Sequence, residues 1–413
     1  MTNQDISTGQ NGAGRITRRF VLSAVALTVV TGSVGLAQPA TATPVIEAST
    51  AAYSYPVLPG TAAWKRLTTH DEMLRVTQVP AAALAGMSTA ALVDTVLRYP
   101  LYDDMLAFNN PQQGFDKMSS RFSGFAALAS RPDAGAELLK RYESMSPAIA
   151  PKATLLQQGQ VDASFRRIET LLAQDAVRRT LNANQVTQLV AESREKLQAK
   201  AARADVYGLV GQASTSLVIG RALASKESTA SRTLQADPAT RSFLATGEAR
   251  SAQPLQRIAG ASDTVFGPTD NNTTVYTPRG TAVAAINMTT ELSSAQITSN
   301  NNWVANNYPN ATRLRSSTRK YNCHSYAWHN TASTNTKWIN SPGDDKYWND
   351  GSYRPDSNVG AANRRVSYRN DDHSAITVNA IVFKSKWGQL GLMQHNYNYT
   401  PYNSSALYYY SLA

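Results

Sequence analysis

The feature that most constrains this chain is a change in the period of its apolar residues. From about residue 64 to residue 225 they recur three and four apart, the spacing of one helix face. From Asp263 onward that spacing gives way to short alternating runs broken by Asn, Thr, Ser, Gly and Pro. A period of 3.6 cannot lie flat in a sheet, and a period of 2 cannot keep one face of a helix apolar. The pattern therefore predicts a multidomain chain, with an all-α helical domain over 64–225 followed by an α+β domain over 263–413. The Pro-containing, aperiodic residues 43–63 and the weakly patterned residues 226–262 read as linkers.

Within the first half, Ser88 is placed to cap a helix whose Leu92, Val93, Val96 and Leu97 share a face before Pro100. Pro132 and Asp133 open a second, with Leu138, Leu139, Tyr142 and Met145 as its apolar stripe. Two longer helices follow, "VDASFRRIETLLAQDAVRRTL" and "NANQVTQLVAESREKLQAKAARADVYGLV". In the second half, Pro278-Arg279-Gly280 turns a hairpin and "SSAQITSNNNWVANNYP" is a short helix closed by Pro309. Strands are expected in "RRVSYRN", "HSAITVN" and "AIVFKSKWG", with Trp387-Gly388 in a tight turn.

Residues 1–42 read as an export signal. Arg15, Arg18 and Arg19 precede an apolar run from Phe20 to Leu36, and Ala40-Thr41-Ala42 is a small-x-small cleavage site. The paired arginines before Phe20 resemble a twin-arginine signal without its usual spacer, which leaves both export routes open. No later segment is apolar enough to span a membrane, so the expected product is secreted or cell-wall associated. Of the chain's formal charge of +11, removal of the segment leaves +9, a surface drawn to peptidoglycan or another anionic cell-wall polymer. No nucleic-acid motif is present.

The chemistry is expected in "YNCHSYAWH", Tyr321 to His329, which holds the sole cysteine. Asn322 is placed to cap a helix with Cys323 in its first turn, where unpaired backbone N–H groups favour a thiolate. A nucleophilic thiolate needs a base held beside it. His373 opens an alternating run 50 positions downstream and is the expected base. His324 and His329 are rivals on the cysteine's own helix, where His324 is expected to point about 100° away from the sulfur; His395 is the third rival. Ser385, 12 positions after His373 on the next strand, is the candidate orienting group, with His395 or an Asn of "HNYN" as alternatives. The aromatic residues between Trp328 and Tyr353 are candidates to line a substrate groove. No cofactor motif appears, and the scattered histidines lack zinc-ligand spacing.

The order of a helix-borne Cys323, a strand-borne His in "HSAI", a strand ending in "SKWG" and a "H...PY" segment resembles the papain-fold cell-wall cysteine peptidases and amidases of the NlpC and CHAP type. The resemblance covers residues 263–413. It implies a papain-like fold and cysteine-dependent cleavage of peptidoglycan amide bonds, with Cys323 as nucleophile, His373 as base and Ser385 in the third role. The sequence departs from that pattern in Asn322-Cys323-His324 around the nucleophile and in a serine at the third position. The alternatives are a non-catalytic cell-wall binding or structural protein with a degenerate domain, and an exported protease or acyltransferase acting on proteins.

Overall fold

The computed structural model describes residues 49–225, 228–260 and 270–413. The expected export segment 1–42 lies outside them. An N-terminal helical region and a C-terminal sheet-rich region are both present, in the order expected. The helix over Thr89–Leu97 is capped by the Ser88 hydroxyl and buries Leu92, Val93 and Val96. Ala134–Glu143 follows Asp133 and buries Leu138, Leu139 and Tyr142. Thr154 and Asn182 close capping boxes with Gln157 and Gln185, starting the two long helices Leu155–Leu172 and Ala183–Ala201. The expected continuation through "ADVYGLV" instead turns at Arg203 into a further helix, Ala204–Ala224, which bends at Gly208, where φ is +53°.

Both expected linkers are more structured than their composition suggests. From Ser49 onward the first is docked: Ser49 N–H donates to the Gly86 carbonyl at 2.7 Å, and the buried Tyr55 hydroxyl donates to the Thr95 carbonyl at 3.1 Å. The second carries three helices, Thr229–Ala236, Pro238–Thr246 and Ala252–Ala259. Their few apolar residues, Leu234, Phe243, Leu255 and Ile258, are buried, and Gly220 lets Leu244 and Ile258 close on the Ala204–Ala224 helix. Short helices with one or two anchors carry too weak a period to register in sequence.

The sheet-rich region begins with a three-stranded antiparallel sheet in the order β1 (Asn271–Tyr276), β2 (Ala282–Asn287) and β4 (Lys337–Trp338). The expected turn joins the first two, with Gly280 at φ +87°. The remaining strands are β3 (Thr312–Arg315), β5 (Tyr353–Pro355), β6 (Arg365–Tyr368), β7 (Ser374–Thr377), β8 (Val382–Lys386), β9 (Leu392–Asn396) and β10 (Leu407–Leu412). They form one antiparallel seven-stranded sheet in the order β3-β9-β8-β7-β6-β10-β5.

The two regions share one hydrophobic core, so packing does not divide them at 226–262. Residues from Trp64 through Tyr142 and Ile219 to Phe383 and Trp387 belong to a single buried cluster. The expected helix before Pro309, Ser294–Asn307, lies against Leu155–Leu172 so closely that a Cβ on Gly159 would sit 2.1 Å from the Ala295 carbonyl oxygen. A separate cluster on the other face of the large sheet holds Tyr326, Trp328, Tyr347, Tyr353 and Ile376. The aromatic residues expected to line a groove are thus largely core.

Inside the helical region, Lys200 Nζ and Glu169 form an ion pair at 2.9 Å with both side chains fully buried; Thr215, Tyr142 and Ser214 hydroxyls complete the carboxylate's shell. Removing one partner strands the other charge without water. Lys200→Met is expected to cost about 3–5 kcal/mol of unfolding free energy, measured by urea denaturation. An unchanged midpoint and slope would show that this pair does not hold the region together.

Candidate functional site

Asn322 acts as the cap expected of it. Its side-chain oxygen accepts from Ser325 N–H at 3.1 Å, and its amide donates to the Ile339 carbonyl at 2.6 Å and to Asn109 Oδ1 at 2.9 Å. The helix so started is short and widens into a π turn over Ser325–His329, closed by Asn330 N–H on the Ser325 carbonyl. Cys323 lies in its first turn with 1 % of its surface exposed. So short a helix has a small dipole, and the residue after Cys323 carries an imidazole.

That imidazole belongs to His324. Its Nδ1 lies 2.6 Å from Asp344 Oδ2 and 3.0 Å from Ser374 Oγ, all three residues being buried. Burial pushes the ring toward neutrality, but the Asp344 carboxylate and then the Cys323 sulfur outweigh it and hold His324 well above the usual histidine range. A cation therefore stands against the Asp344 carboxylate, on the residue next to Cys323. The widened turn and the grip of Asp344 and Ser374 set the direction of the ring, whose Nε2 has no hydrogen-bond partner among the described residues.

His373 is placed otherwise. Successive strand residues face opposite sides of a sheet. Ser374 faces the cysteine helix, accepting from Trp328 Nε1–H at 2.9 Å. His373 precedes it and pairs across the ladder with Tyr368, whose N–H donates to the His373 carbonyl at 2.9 Å. Its ring contacts Tyr368 and stacks on Tyr402 at 3.6 Å, on the side of the large shared core. Neither ring nitrogen has a hydrogen-bond partner. Burial, reinforced by His395 and His324, holds the ring well below the usual range and neutral. The structure thus forms no hydrogen bond between Cys323 and the expected base.

Ser385 lies on the same face as His373 but serves a different histidine. His395 Nδ1–H donates to the Asn396 carbonyl at 2.8 Å, which makes Nε2 the acceptor for the Ser385 hydroxyl at 2.7 Å. Trp387 Nε1–H also donates to Ser385 at 3.0 Å. Lys386, one residue on, faces the cysteine side. Its amine is caged by the Thr318, Gly388 and Leu390 carbonyls, and burial lowers its pKa to about 7. His329, the remaining rival, is half-buried and lowered by burial and by Lys337.

Two acidic residues unnoticed in sequence complete the cluster. Asp371, in the turn before β7, is raised to about 7 by burial and by Asp344. Asp345 is raised for the same two reasons. His324, Asp344 and Asp371 offer three ligand atoms within 4.8 Å of one another. The 2.6 Å approach of His324 to Asp344 is that of a charge-assisted hydrogen bond, whereas two ligands of one zinc ion stand about 3.3 Å apart. The clustering of aspartates around "DD" pairs at 344–345 and 371–372 is the signal that sequence could have offered.

The site is closed from above by the helical region. Gln389 N–H donates to the Leu106 carbonyl at 2.8 Å, Asn109 meets Asn322, and Lys117 Nζ pairs with Asp372 at 2.7 Å. Arg121 adds a bond to the Pro401 carbonyl at 2.7 Å. Comparison with protein-family models, with curated proteins and with solved structures finds no match. Among the described residues no helix is long and apolar enough to cross a membrane.

The buried neutral histidines make stability depend on pH. His395 is lowered by burial from 6.5 to about 4, so its contribution is present above pH 6.5 and is lost as pH falls toward 4. The unfolding free energy is expected to drop by about 3 kcal/mol across that interval from this group alone. Chemical denaturation at pH 7, 5.5 and 4 checks it, and His395→Gln should flatten the profile; equal stability at all three pH values would refute the assignment.

Proposed function

We propose that this chain is an exported cysteine-dependent amide hydrolase acting on peptidoglycan peptide, and that the fold described is its latent form. The observation that carries this reading is the buried row Cys323, His324, Asp344, in which a carboxylate fixes an imidazolium beside the only cysteine. A cation there favours the thiolate, the form that attacks an acyl carbon. The attack forms a thioester bond and breaks the C–N bond; His324 delivers its proton to the departing amine, then takes one from the water that releases the acid. Asp344 is the positioning residue for that ring. The role that sequence gives to His373 passes to His324, and Ser385 takes no part in it. A papain-like arrangement of the sheet-rich region, with the cysteine helix lying on the strand that carries Ser374, is part of the same proposal.

Support comes also from atoms that a purely structural cluster has no use for. His324 Nε2 and Asp344 Oδ1 are buried without hydrogen-bond partners among the described residues, a cost that folds retain mainly where chemistry needs them. The second reading, a non-catalytic wall-binding protein, is favoured by the near-complete burial of Cys323. Latency reconciles burial with catalysis only if the helical cover can lift.

Thiol alkylation separates the two. In the folded wild type, iodoacetamide is expected to modify Cys323 slowly. Lys117→Ala removes a bond to a buried carboxylate and should speed modification about fivefold or more, since such a pair is worth roughly 1 kcal/mol. The opened protein should hydrolyse peptidoglycan peptides and lose that activity in Cys323→Ala. A thiol that reacts only in denaturant, in both proteins, would establish the binder and end the hydrolase proposal.

A further inference from the structure

The helical region holds a cavity of about 850 Å³ far in sequence from Cys323, lined by Leu181, Val186 and Leu244 and by Arg178, Arg179 and Arg221. We propose that it binds an anionic ligand, through a carboxylate or phosphate group seated between Arg178 and Arg221.

Arg178 carries the argument. Its side chain is only 9 % exposed, its Nη2 is paired with Asp175, and its Nε and Nη1 are buried with no partner among the described residues. A guanidinium is a fork of five N–H donors suited to an oxyanion, and leaving two of its nitrogens dry and unpaired is costly. Arg221 is differently situated. Its Nε and Nη atoms donate to the Leu244 carbonyl at 2.8 Å, to Gln112 Oε1 at 2.7 Å and to the Ala173 and Ala245 carbonyls at 3.1 Å. Those bonds fix its plane without neutralising it. Burial and the nearby Arg178 charge both press Arg221 down to about 10, so the two cations repel each other across the cavity wall. Among the described residues Asp175, whose side chain is 76 % exposed, is the one carboxylate lining the space against three guanidinium groups. An entering oxyanion supplies acceptors to the unpaired Arg178 nitrogens and relieves the repulsion together. The apolar wall accommodates a non-polar portion of the same molecule. This site is independent of the hydrolase proposal, and it assigns to the helical region a role distinct from covering Cys323.

The test uses the full mature chain, titrated calorimetrically at constant ionic strength with inorganic phosphate and, separately, with acetate. Saturable binding of one equivalent is expected, weakened tenfold or more by Arg178→Gln and less by Arg178→Lys. Arg203→Gln, which removes an exposed arginine elsewhere, should bind as the wild type does. Phosphate bound at least tenfold more tightly than acetate identifies a phosphate-bearing ligand; comparable affinities identify a carboxylate. Non-saturable uptake, or equal affinity in wild type and Arg178→Gln, would overturn the proposal. Should Arg178→Gln misfold, Arg221→Gln and the exposed Arg179→Gln provide the same comparison, and unchanged binding in both would overturn it equally.

Discussion

The docking of Leu106 to Asn109 onto the sheet-rich region is the contact on which the rest of the molecule depends. Gly388 makes it: with φ at +47°, a Cβ there would lie 2.4 Å from Ala107 carbonyl carbon and 2.4 Å from the Leu106 oxygen, so only glycine lets the two backbones meet. The Gln389 N–H and the Tyr402 hydroxyl then reach the Leu106 and Ala107 carbonyls. Around this seam Tyr308 packs against Trp387 and Tyr399, and its hydroxyl donates to Asp104 at 2.6 Å, while His70 Nε2 meets the same carboxylate at 2.9 Å. Buried polar groups satisfied across the boundary make it cooperative, because exposing one side leaves the other unpaired.

The same seam explains why the sulfur is dry. Asn109 is a partner of the residue that caps the cysteine helix, and Lys117 holds the residue just before His373. Cover and site are therefore joined by hydrogen bonds as well as by apolar contact. Beneath the cover, electrostatics favour a single arrangement: three carboxyl groups, Asp344, Asp345 and Asp371, surround one imidazolium, and the two that face Asp344 are pushed toward protonation.

Much of the fold was legible in local signals. The cap at Ser88, the helix starts at Asn182 and Ser293, the Pro278-Arg279-Gly280 turn and the strands around Val366, Ile376 and Phe383 lie where period and turn chemistry place them, whereas the helix expected from Val161 begins six residues earlier, capped by Thr154. The helices between Thr229 and Ala259 were not, since each is anchored by one or two side chains. In the site, Asn322 as cap and Cys323 in the first turn were legible. The base was not: the alternation that puts His373 opposite to Ser374 was visible, but which of those faces meets the cysteine helix is a property of the packed sheet.

The sequence by itself determined the order of a helical and a sheet-rich region, the helix start at Asn322 and the strand that follows His373, because these depend on residues within a few positions of one another. Tertiary structure alone decided that the regions share one core, that Asp344 and Ser374 hold His324, and that Ser385 answers to His395. Those outcomes require side chains from 10 to 204 positions apart to meet, and no local period encodes which face of a sheet a distant helix will cover.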